Sequence, residues 1–270
     1  MPELPEVETV RRDLDPALSG RRIKSVVVTR DRAVRRQPHD EFIGLLRGRT
    51  FVSVRRHGKF LIFDLDDGDA MIGHLRMSGQ LRIANRRDEL VKHTHVVIDL
   101  DNGSQLRFID PRTFGELWTD ALDGERPHSL KHLGPDALER GTLTRLSGSR
   151  NIKSVLLDQT VVAGVGNIYA DEALFASRLH PLRPVGSVLP DEVKTLRREL
   201  GKILRAAITS RGTTFDDFAY VDAYGRRGAF TPKVYGRAGK PCVRCGTPVE
   251  KLVVAQRGTH VCPTCQPFAK

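Results

Sequence analysis

Two strand-like runs flank a turn in the stretch His95-Val96-Val97-Ile98-Asp99-Leu100-Asp101-Asn102-Gly103-Ser104-Gln105-Leu106-Arg107-Phe108-Ile109. The β-branched and aromatic residues predict strands, and the Asp-Asn-Gly sequence between them predicts a turn. Similar runs at 23–28 and 60–63 continue the pattern, so residues 21–120 are expected to be β-structure. Because no helical pattern separates the runs, an antiparallel sandwich or barrel is favoured over a doubly wound sheet.

Helical patterns lie on both sides of this region. Val7, Val10, Leu14 and Leu18 recur at helical spacing, and Ser19-Gly20 can end that helix. A Gly-, Pro- and charge-rich segment at about 120–143 predicts a hinge between domains. Helices are predicted beyond it, at 152–158, 167–178 and 191–208. We therefore expect an α+β multidomain fold.

The four cysteines form two C-x2-C pairs that are separated by sixteen residues: Cys242, Cys245, Cys262 and Cys265. Each pair can direct two thiolates to one tetrahedral centre, and this spacing is typical of a zinc ribbon. A redox dithiol is the alternative. With all four positions filled by protein, one structural Zn²⁺ is predicted, without an open position for catalysis.

The composition points to a polyanionic partner. Lys and Arg total 44 against 33 Asp and Glu, a formal charge of +11 over 270 residues. This excess favours binding to nucleic acid, although a solvated basic surface is the simpler alternative. No stretch reaches the roughly 18 apolar residues of a membrane span, and the acidic N-terminus does not resemble a signal peptide. A cytoplasmic protein with no membrane partner is expected.

The N-terminus can supply a catalytic group. Removal of Met1 would leave Pro2 with a free secondary amine, next to the carboxyl group of Glu3. Such an amine can form an iminium with a sugar aldehyde carbon, and a neighbouring carboxyl group can move protons. The alternative is structural, because Pro and Glu also favour a helix start.

Two further segments could contact phosphate. Gly164 and Gly166 directly precede a predicted helix that begins at Asn167, an arrangement that suits either an anion site or a tight turn with an Asn cap. Arg257 lies between the cysteine pairs, at the expected tip of the zinc-ribbon hairpin. A phosphate contact and an ordinary solvated hairpin both fit this position.

Several motifs, in one order along nearly the whole chain, resemble those of the bacterial formamidopyrimidine-DNA glycosylases, which excise oxidised purines. The matching segments are 2–9, 55–61, 74–79, 110–115, 156–175 and 235–237, the last leading into the cysteine ribbon. The resemblance implies an N-terminal helix on a two-layer β-sandwich, a helix-two-turns-helix module and a zinc finger. Their expected bounds are 1–130, 131–234 and 235–270.

The resemblance also implies a reaction and a partner. Pro2 would attack the anomeric carbon of a damaged nucleotide, and Glu3 would assist opening of the sugar ring. The resulting Schiff base would lead to β,δ-elimination, so base-excision glycosylase and lyase steps would share one nucleophile. Lys59 and Arg257 would complete the catalytic set, although Lys59 could also be an ordinary sheet-surface lysine. The partner would be double-stranded DNA containing oxidised purines, bound by a monomer.

The remaining site residues implied by the resemblance contact DNA. Flipping a base out of the duplex leaves a gap, and the residues expected to fill it are Met77, Arg112 and Phe114. Those expected to hold phosphates near the flipped nucleotide, together with Lys59 and Arg257, are His74 and Asn167. Those expected around the lesion base are Lys153 and Glu172. Residue type alone predicts other roles for these side chains. Met77 and Phe114 would be core residues, Arg112 would be a charged residue in a surface turn, and His74 would be a histidine buried in the core.

One segment departs from the family pattern. Residues 213–230 correspond to the family's base-capping loop, but the loop is about two residues longer and carries an additional Tyr and Arg. Lesion preference therefore stays open. Two rival functions also remain: a sister enzyme that removes oxidised pyrimidines, and a non-catalytic zinc-ribbon protein that binds damaged DNA.

Overall fold

The computed structural model describes residues 2–144, 147–215 and 220–268. The chain forms two compact units. The first contains the residues up to His132 together with Ser210–Ala229, and the second contains Leu133–Thr209 with the residues from Phe230 onward. This division differs from the sequence-based one, because segment 210–229 packs with the first unit and the cysteine-rich tail packs within the second.

The first unit begins with helix α1, Leu4–Leu18. Its start is stabilised by a capping box between Glu3 and Glu6, and by Pro5 in the first turn. The helix is capped by Ser19, and Gly20 follows with a φ of 77°. The predicted N-terminal helix and its Ser-Gly end are thus confirmed.

The described part of the first unit that follows α1 contains nine strands and one further α-helix. They are β1 (Ile23–Val28), α2 (His39–Leu46), β2 (Phe51–His57), β3 (Phe60–Leu65), β4 (Asp69–His74), β5 (Gln80–Asn85), β6 (Thr94–Leu100), β7 (Ser104–Ile109), β8 (Glu116–Asp123) and β9 (Arg126–Pro127). One sheet has the order β2-β3-β4-β8-β9 and the other β1-β6-β7-β5. All the strand pairs in both sheets are antiparallel.

The two sheets form the predicted sandwich. A single core cluster includes Phe63 and Met71 from one sheet, Ile98 and Phe108 from the other, and Leu14 of α1. The expectation of β-structure throughout 21–120 needs one correction. Helix α2 interrupts it, because Phe42 and Leu46, spaced at i and i+4, are buried in that core.

The second unit is mainly helical. It contains α3 (Ile152–Leu157), α4 (Asn167–Ala176), α5 (Pro190–Thr209) and the hairpin strands β10 (Glu250–Val254) and β11 (Arg257–Val261). The three helices match the segments predicted from periodicity. Leu196, Leu200 and Leu204 of α5 are buried, as an amphipathic helix requires. In the part of the chain that the structure describes, no helix has the length and apolarity needed to cross a membrane.

Candidate functional site

The N-terminal end of α1 lies toward the end of β2. The Val54 N–H of β2 donates to Asp15 Oδ1 (2.8 Å), whereas Arg56, two residues further on, donates through Nε to Glu8 Oε2 (3.1 Å). Helix and strand therefore run antiparallel, and the start of α1 points to the turn that follows β2. Buried Pro2 directly precedes the N-cap residue Glu3 at this end of the helix, and Met1 lies outside the described residues.

Strand register brings two predicted site residues to the same sheet end. Lys59 lies in the two-residue turn between β2 and β3 and is 8% exposed. The next residue, Phe60, pairs with His74, the last residue of β4, and His74 in turn pairs with Glu116 of β8. Antiparallel pairing thus gathers these residues beside the start of α1, although they are distant in sequence.

His74 is neutral at physiological pH. Burial, together with the charges of Arg76 and Lys59, lowers its pKa to about 3. Its Nδ1 accepts the backbone N–H of Arg76 (3.0 Å), so Nε2 carries the ring hydrogen. The ring also makes an edge contact with Phe60, at 4.5 Å between centroids. His74 is therefore a packed histidine that can act as a hydrogen-bond donor, but not as a fixed cation.

The backbone of Glu3 is held by the first turn of α1. Its N–H donates to Glu6 Oε2 (2.9 Å), and the other oxygen of that carboxylate accepts the N–H of Thr213 (2.8 Å). Glu3 and Glu6 are both nearly fully buried. The Glu3 side chain in turn accepts the backbone N–H of Glu6 in the capping box, so Glu3, the neighbour of Pro2, is held on a constrained backbone.

Asp110 organises the two loops that carry Met77 and Phe114. Its fully buried carboxylate accepts the Ser78 hydroxyl from one loop and the Gly115 N–H (2.7 Å) from the other. A Cβ at Gly115 would lie 2.8 Å from the Phe108 ring, so this position requires glycine. The carboxylate thus ties both loops to one point of the sandwich.

The side chains that these loops present are accessible. Phe114 is 42% exposed, Arg112 is exposed with its guanidinium 5.2 Å from the Phe114 ring, and Met77 is half-buried. Arg76 and Thr113, which directly precede Met77 and Phe114, have φ values of 51° and 55°. Such left-handed conformations in non-glycine residues cost energy and recur at functional loops.

The carboxylate of Glu116 binds three arginines next to these loops. Its carboxylate accepts hydrogen bonds from Arg35 (3.0 Å), Arg36 (2.9 Å) and Arg76 (3.2 Å), and Arg35 also donates to the Phe114 carbonyl oxygen (3.0 Å). Burial opposes ionisation, but Arg36 and Arg35 lower the pKa of Glu116 to about 2. This carboxylate therefore stays charged and cross-links the two loops to the segment before α2.

In the second unit, Arg257 lies at the tip of the β10–β11 hairpin. It is exposed and pairs with Val254 across a two-residue turn. Both turn residues, Ala255 and Gln256, have positive φ values, of 49° and 59°. This is the turn type whose twist suits a two-residue hairpin. The arginine is thus presented on a short, well-defined hairpin.

The residues behind Arg257 brace its backbone. Lys153 Nζ lies 2.6 Å from Asp171 Oδ1 and donates to the Thr259 hydroxyl (2.7 Å), and Asn167 Nδ2 donates to the Gly258 carbonyl oxygen (2.9 Å). Lys153 is fully buried, and the expectation that it contacts DNA stays a prediction. Its ammonium group is enclosed because Asp171 and the hairpin cover it.

Glu172, like Lys153, supports the backbone of a neighbouring segment. Its carboxylate accepts the backbone N–H groups of Lys233, Val234 and Tyr235 at 2.8–2.9 Å. Burial raises the pKa of Glu172, while the three hydrogen bonds oppose that rise. The side chain fixes the chain that leads into the cysteine-rich segment and is 2% exposed, and its expected place at the lesion base stays a prediction.

The four cysteines converge. The Sγ atoms of Cys242, Cys245, Cys262 and Cys265 all lie within 4.8 Å of one another. The Cys242–Cys265 and Cys245–Cys262 distances are 3.9 and 3.5 Å, too long for disulfides. Four thiolates at about 2.3 Å from a tetrahedral zinc lie about 3.8 Å apart, so the cluster fits one structural Zn²⁺.

Segment 213–230 is described only in part, because residues 216–219 lie outside the described residues. Residues 220–226 pack on α1 and on strand β5, where the Ile83 N–H donates to the Ala223 carbonyl oxygen (3.0 Å). Tyr220 donates through its hydroxyl to the Glu6 carbonyl oxygen (3.2 Å). Tyr220 and Ala223 of this segment thus take part in packing.

Sequence reasoning did not single out Glu6, Asp110 or Asp171. Each is a buried carboxylate that holds backbone or side chains around a predicted site residue. Glu6 and Asp110 lie inside motifs that the sequence analysis quoted, so an acid within a matched motif was an available signal. Asp171 also lies inside a matching segment, 156–175, but its partners Lys153 and His260 come from other parts of the chain.

Comparison with known proteins agrees with this architecture. Three family models match: the formamidopyrimidine-DNA glycosylase N-terminal domain at residues 1–117, the H2TH domain of the same family at 133–219, and the zinc finger found in FPG and IleRS at 239–267. The formamidopyrimidine-DNA glycosylase of Symbiobacterium thermophilum is 45% identical, covering 99% of this chain and 90% of the relative. That of Enterococcus faecalis is 43% identical, covering 98% and 97%.

Solved structures show the same likeness. The Lactococcus lactis Fpg in complex with abasic-site DNA has a TM-score of 0.88 at 35% identity, covering 99% of this chain and 100% of that one. The MutM (Fpg) protein of Thermus thermophilus has a TM-score of 0.85 at 41% identity, with both chains fully covered.

Fold and site together define a β-sandwich protein with a helical, zinc-binding second unit. The chain belongs to the formamidopyrimidine-DNA glycosylase family. Its four-cysteine cluster is the zinc site of the family's finger.

Proposed function

We propose that this protein is a base-excision-repair DNA glycosylase and abasic-site lyase that removes oxidised purines from double-stranded DNA, acting as a monomer. The observation that carries the proposal is the antiparallel packing of α1 on β2. This packing brings the start of α1 to the sheet end that holds Lys59 and His74, which supports a shared role for Pro2, Glu3 and these residues. Family membership and the relatives' complexes with damaged DNA support the same conclusion.

The first step requires a neutral Pro2 amine, and therefore removal of Met1. The nitrogen lone pair attacks C1′, the bond from C1′ to the base breaks, and the departing base takes up the proton that the attacking nitrogen loses. Glu3 then delivers a proton to O4′ as the ring opens and the C1′=N iminium forms. The cationic side chain of Lys59 at this sheet end disfavours the protonated amine, whose pKa is ordinarily about 8.

The iminium acidifies the neighbouring sugar protons. Loss of a C2′ proton expels the 3′ phosphate, and loss of a C4′ proton then expels the 5′ phosphate. Hydrolysis by water releases the sugar fragment and regenerates Pro2. Glu3, held by the capping box of α1, is proposed to carry protons between these steps.

Access to C1′ requires the damaged nucleotide to leave the helix, at a cost of a few kcal/mol. Met77, Arg112 and Phe114 are proposed to occupy the space that it vacates. Phe114 and Met77 supply apolar bulk, and Arg112 supplies hydrogen bonds to the unpaired base. Asp110 and Glu116 support this role, because they hold both loops before DNA arrives.

Phosphate contacts are proposed for four residues. Lys59 and Arg257 supply positive charge, whereas His74 and Asn167 supply neutral N–H donors. Arg257 is exposed at a hairpin tip whose backbone is fixed by Lys153 and Asn167. Lys153 accordingly supports the hairpin in this proposal.

A covalent trapping experiment tests the reaction. The purified protein is incubated with a duplex that contains 8-oxoguanine opposite cytosine, in the presence of borohydride, which reduces an iminium to a stable amine. We expect an adduct that maps to a peptide beginning at Pro2. Intact-mass analysis of the same sample establishes whether Met1 has been removed.

The alternatives give different results. DNA binding without an adduct would contradict the enzyme and favour a non-catalytic damage-binding protein. An adduct on thymine-glycol DNA but not on 8-oxoguanine DNA would favour the oxidised-pyrimidine enzyme. That arm is informative because a related Lactococcus lactis structure contains DNA with an oxidised pyrimidine. An adduct on a lysine instead of Pro2 would contradict the assigned nucleophile.

A further inference from the structure

Arg56 of β2 joins two parts of the candidate site. Its side chain is only 7% exposed. Nε donates to Glu8 Oε2 of α1 (3.1 Å), and Nη1 donates to the Gly58 carbonyl oxygen (2.8 Å). One planar guanidinium group thus contacts both the helix that begins next to Pro2 and the β2–β3 turn that contains Lys59.

The Gly58 carbonyl group belongs to the peptide unit that leads into Lys59. His57 pairs with Phe60, so Gly58 and Lys59 are the two residues of a tight turn and lie outside the strand pairing. Gly58 has a φ of 57°, as the favoured two-residue turns require at their first position. The hydrogen bond from Arg56 therefore sets the orientation of the peptide plane that precedes Lys59.

Glu8 gives Arg56 a fixed point of attachment on α1. Its Oε1 accepts Arg12 Nε (2.8 Å) and Arg11 Nη2 (3.2 Å), and its Oε2 also accepts Arg11 Nε (3.2 Å). Burial opposes ionisation of Glu8, but the Arg12 and Arg11 side chains lower its pKa below the ordinary value. The carboxylate is therefore charged and held by several donors, so the position of the Arg56 guanidinium group follows the helix.

We propose that Arg56 is a positioning residue that fixes the turn carrying Lys59 against the start of α1, and thereby sets the rate at which Pro2 reacts. This inference rests on the proposed function. Lys59 is 8% exposed, so a rotation of the turn would change the surroundings of its side chain. A displacement of about 1 Å within a catalytic set can lower a rate about a hundredfold. Arg56 acts through Lys59 and not on the sugar.

A residue that acts through Lys59 should differ from one that only stabilises the fold. Once the ammonium group of Lys59 has been removed, its position no longer matters, and the further loss of Arg56 should cost little. Two independent defects would instead multiply, because their free-energy costs add.

The test is a double-mutant cycle of Arg56→Gln and Lys59→Gln. The parent, the two single variants and the double variant are incubated with an 8-oxoguanine duplex and borohydride under single-turnover conditions. Saturating protein ensures that the rate of adduct formation is measured and not affinity. We expect each single substitution to slow adduct formation at least about tenfold. The double variant should react within about threefold of Lys59→Gln.

Arg12→Gln is the matched control. It removes another guanidinium group from Glu8 and the same unit of charge, but Arg12 lies on α1 and is 58% exposed. Exposed ion pairs contribute little, so its rate should stay within about twofold of the parent.

A second variant, Arg56→Lys, keeps the charge but cannot reproduce the two-pronged contact of a guanidinium group. We expect it to react at an intermediate rate in the parent background and to have little effect in the Lys59→Gln background. Urea denaturation checks the folding of every variant. If Arg56→Gln does not fold, the cycle is completed with Arg56→Lys.

The negative results are distinguishable. If the parent forms no adduct, the proposed function fails, and the inference fails with it. If the parent reacts, but the Arg56 variants keep its rate or their losses multiply with that of Lys59→Gln, the inference alone is overturned. A parental rate for Lys59→Gln would also overturn it, because Arg56 would then have no group to act through.

Discussion

Lys153 and Asp171 form an ion pair, with Nζ and Oδ1 2.6 Å apart and neither side chain exposed. A buried pair that loses one partner leaves an uncompensated charge, at a cost of about 3–5 kcal/mol. Asp171 also accepts the His260 N–H (2.8 Å), so the pair joins α4 and the neighbouring α3 to the hairpin that carries Arg257. Its main contribution is therefore to the placement of that hairpin.

The Asp171→Asn substitution should lower the free energy of unfolding by about 3–5 kcal/mol, because Lys153 would remain charged and buried. Urea denaturation measures this change. The double substitution Lys153→Met with Asp171→Leu removes both charges and should be less destabilising than the single one. Parental stability in Asp171→Asn would contradict the assigned role of the pair.

Glu116 should make stability depend on pH in the acid range. Its pKa of about 2 in the folded protein lies below the ordinary value of 4.5. The stability that it contributes is therefore complete above pH 4.5 and is lost as the pH falls toward 2. Relative to Glu116→Gln, the parent should be more stable near neutral pH by on the order of 2 kcal/mol, and this difference should shrink in acid.

Chemical denaturation at several pH values between about 5.5 and 3 checks the Glu116 prediction. Glu41→Gln, at an exposed acid of α2, is the matched control, and its stability should follow that of the parent. A constant difference between the parent and Glu116→Gln across this range would mean that the arginines do not hold the carboxylate in its ionised form.

Arg257 should contribute affinity through one phosphate. The Arg257→Ala substitution is expected to weaken binding to all duplexes by a similar factor, and to reduce the slope of log K against log salt concentration by about 1. Fluorescence anisotropy at several salt concentrations measures both quantities. Lys194→Ala, in an exposed ion pair on α5, serves as the control. An unchanged slope for Arg257→Ala would exclude a phosphate contact.

Removal of zinc should unfold the tail of the second unit. Cys242 and Cys262 are buried with Val234, Val249 and Phe175, so the metal and this small apolar cluster depend on each other. Structural zinc sites contribute about 10–16 kcal/mol of apparent binding energy. A chelator should release one zinc per chain and abolish DNA binding, and added Zn²⁺ but not Mg²⁺ should restore it. Retained binding in metal-free protein would contradict the prediction.

The elements with a local signal were predictable from the sequence. Strand β1 coincides with the run at 23–28, and α1 ends at the expected Ser19-Gly20. The cysteine spacing likewise indicated the metal site. Helix α2 was missed because it has two turns, and its Phe42 and Leu46 are explained by burial in the core rather than by an extended periodic pattern.

The surroundings of the site residues could not be predicted, since they depend on contacts between distant segments. Lys153 appears in the sequence as a basic residue near a helix start, yet Asp171 and Thr259 enclose it. His74 is neutral because strand pairing buries it beside Phe60 and brings Arg76 and Lys59 close. The sequence supplies the residue types, but the burial of each side chain in the folded protein determines whether that side chain stays charged.

The division of the chain has a consequence for biosynthesis. The first unit is built from residues up to His132 and from Ser210–Ala229, so its last piece is translated about 100 residues after the rest. At roughly 5–20 residues per second, this delay lasts from about 5 to 20 seconds. During that interval Glu6 and Asp13 of α1 lack the partners that later cover them. The N-terminal end of the helix therefore gains its full support late in synthesis, and a truncated protein that stops at His132 would never acquire it.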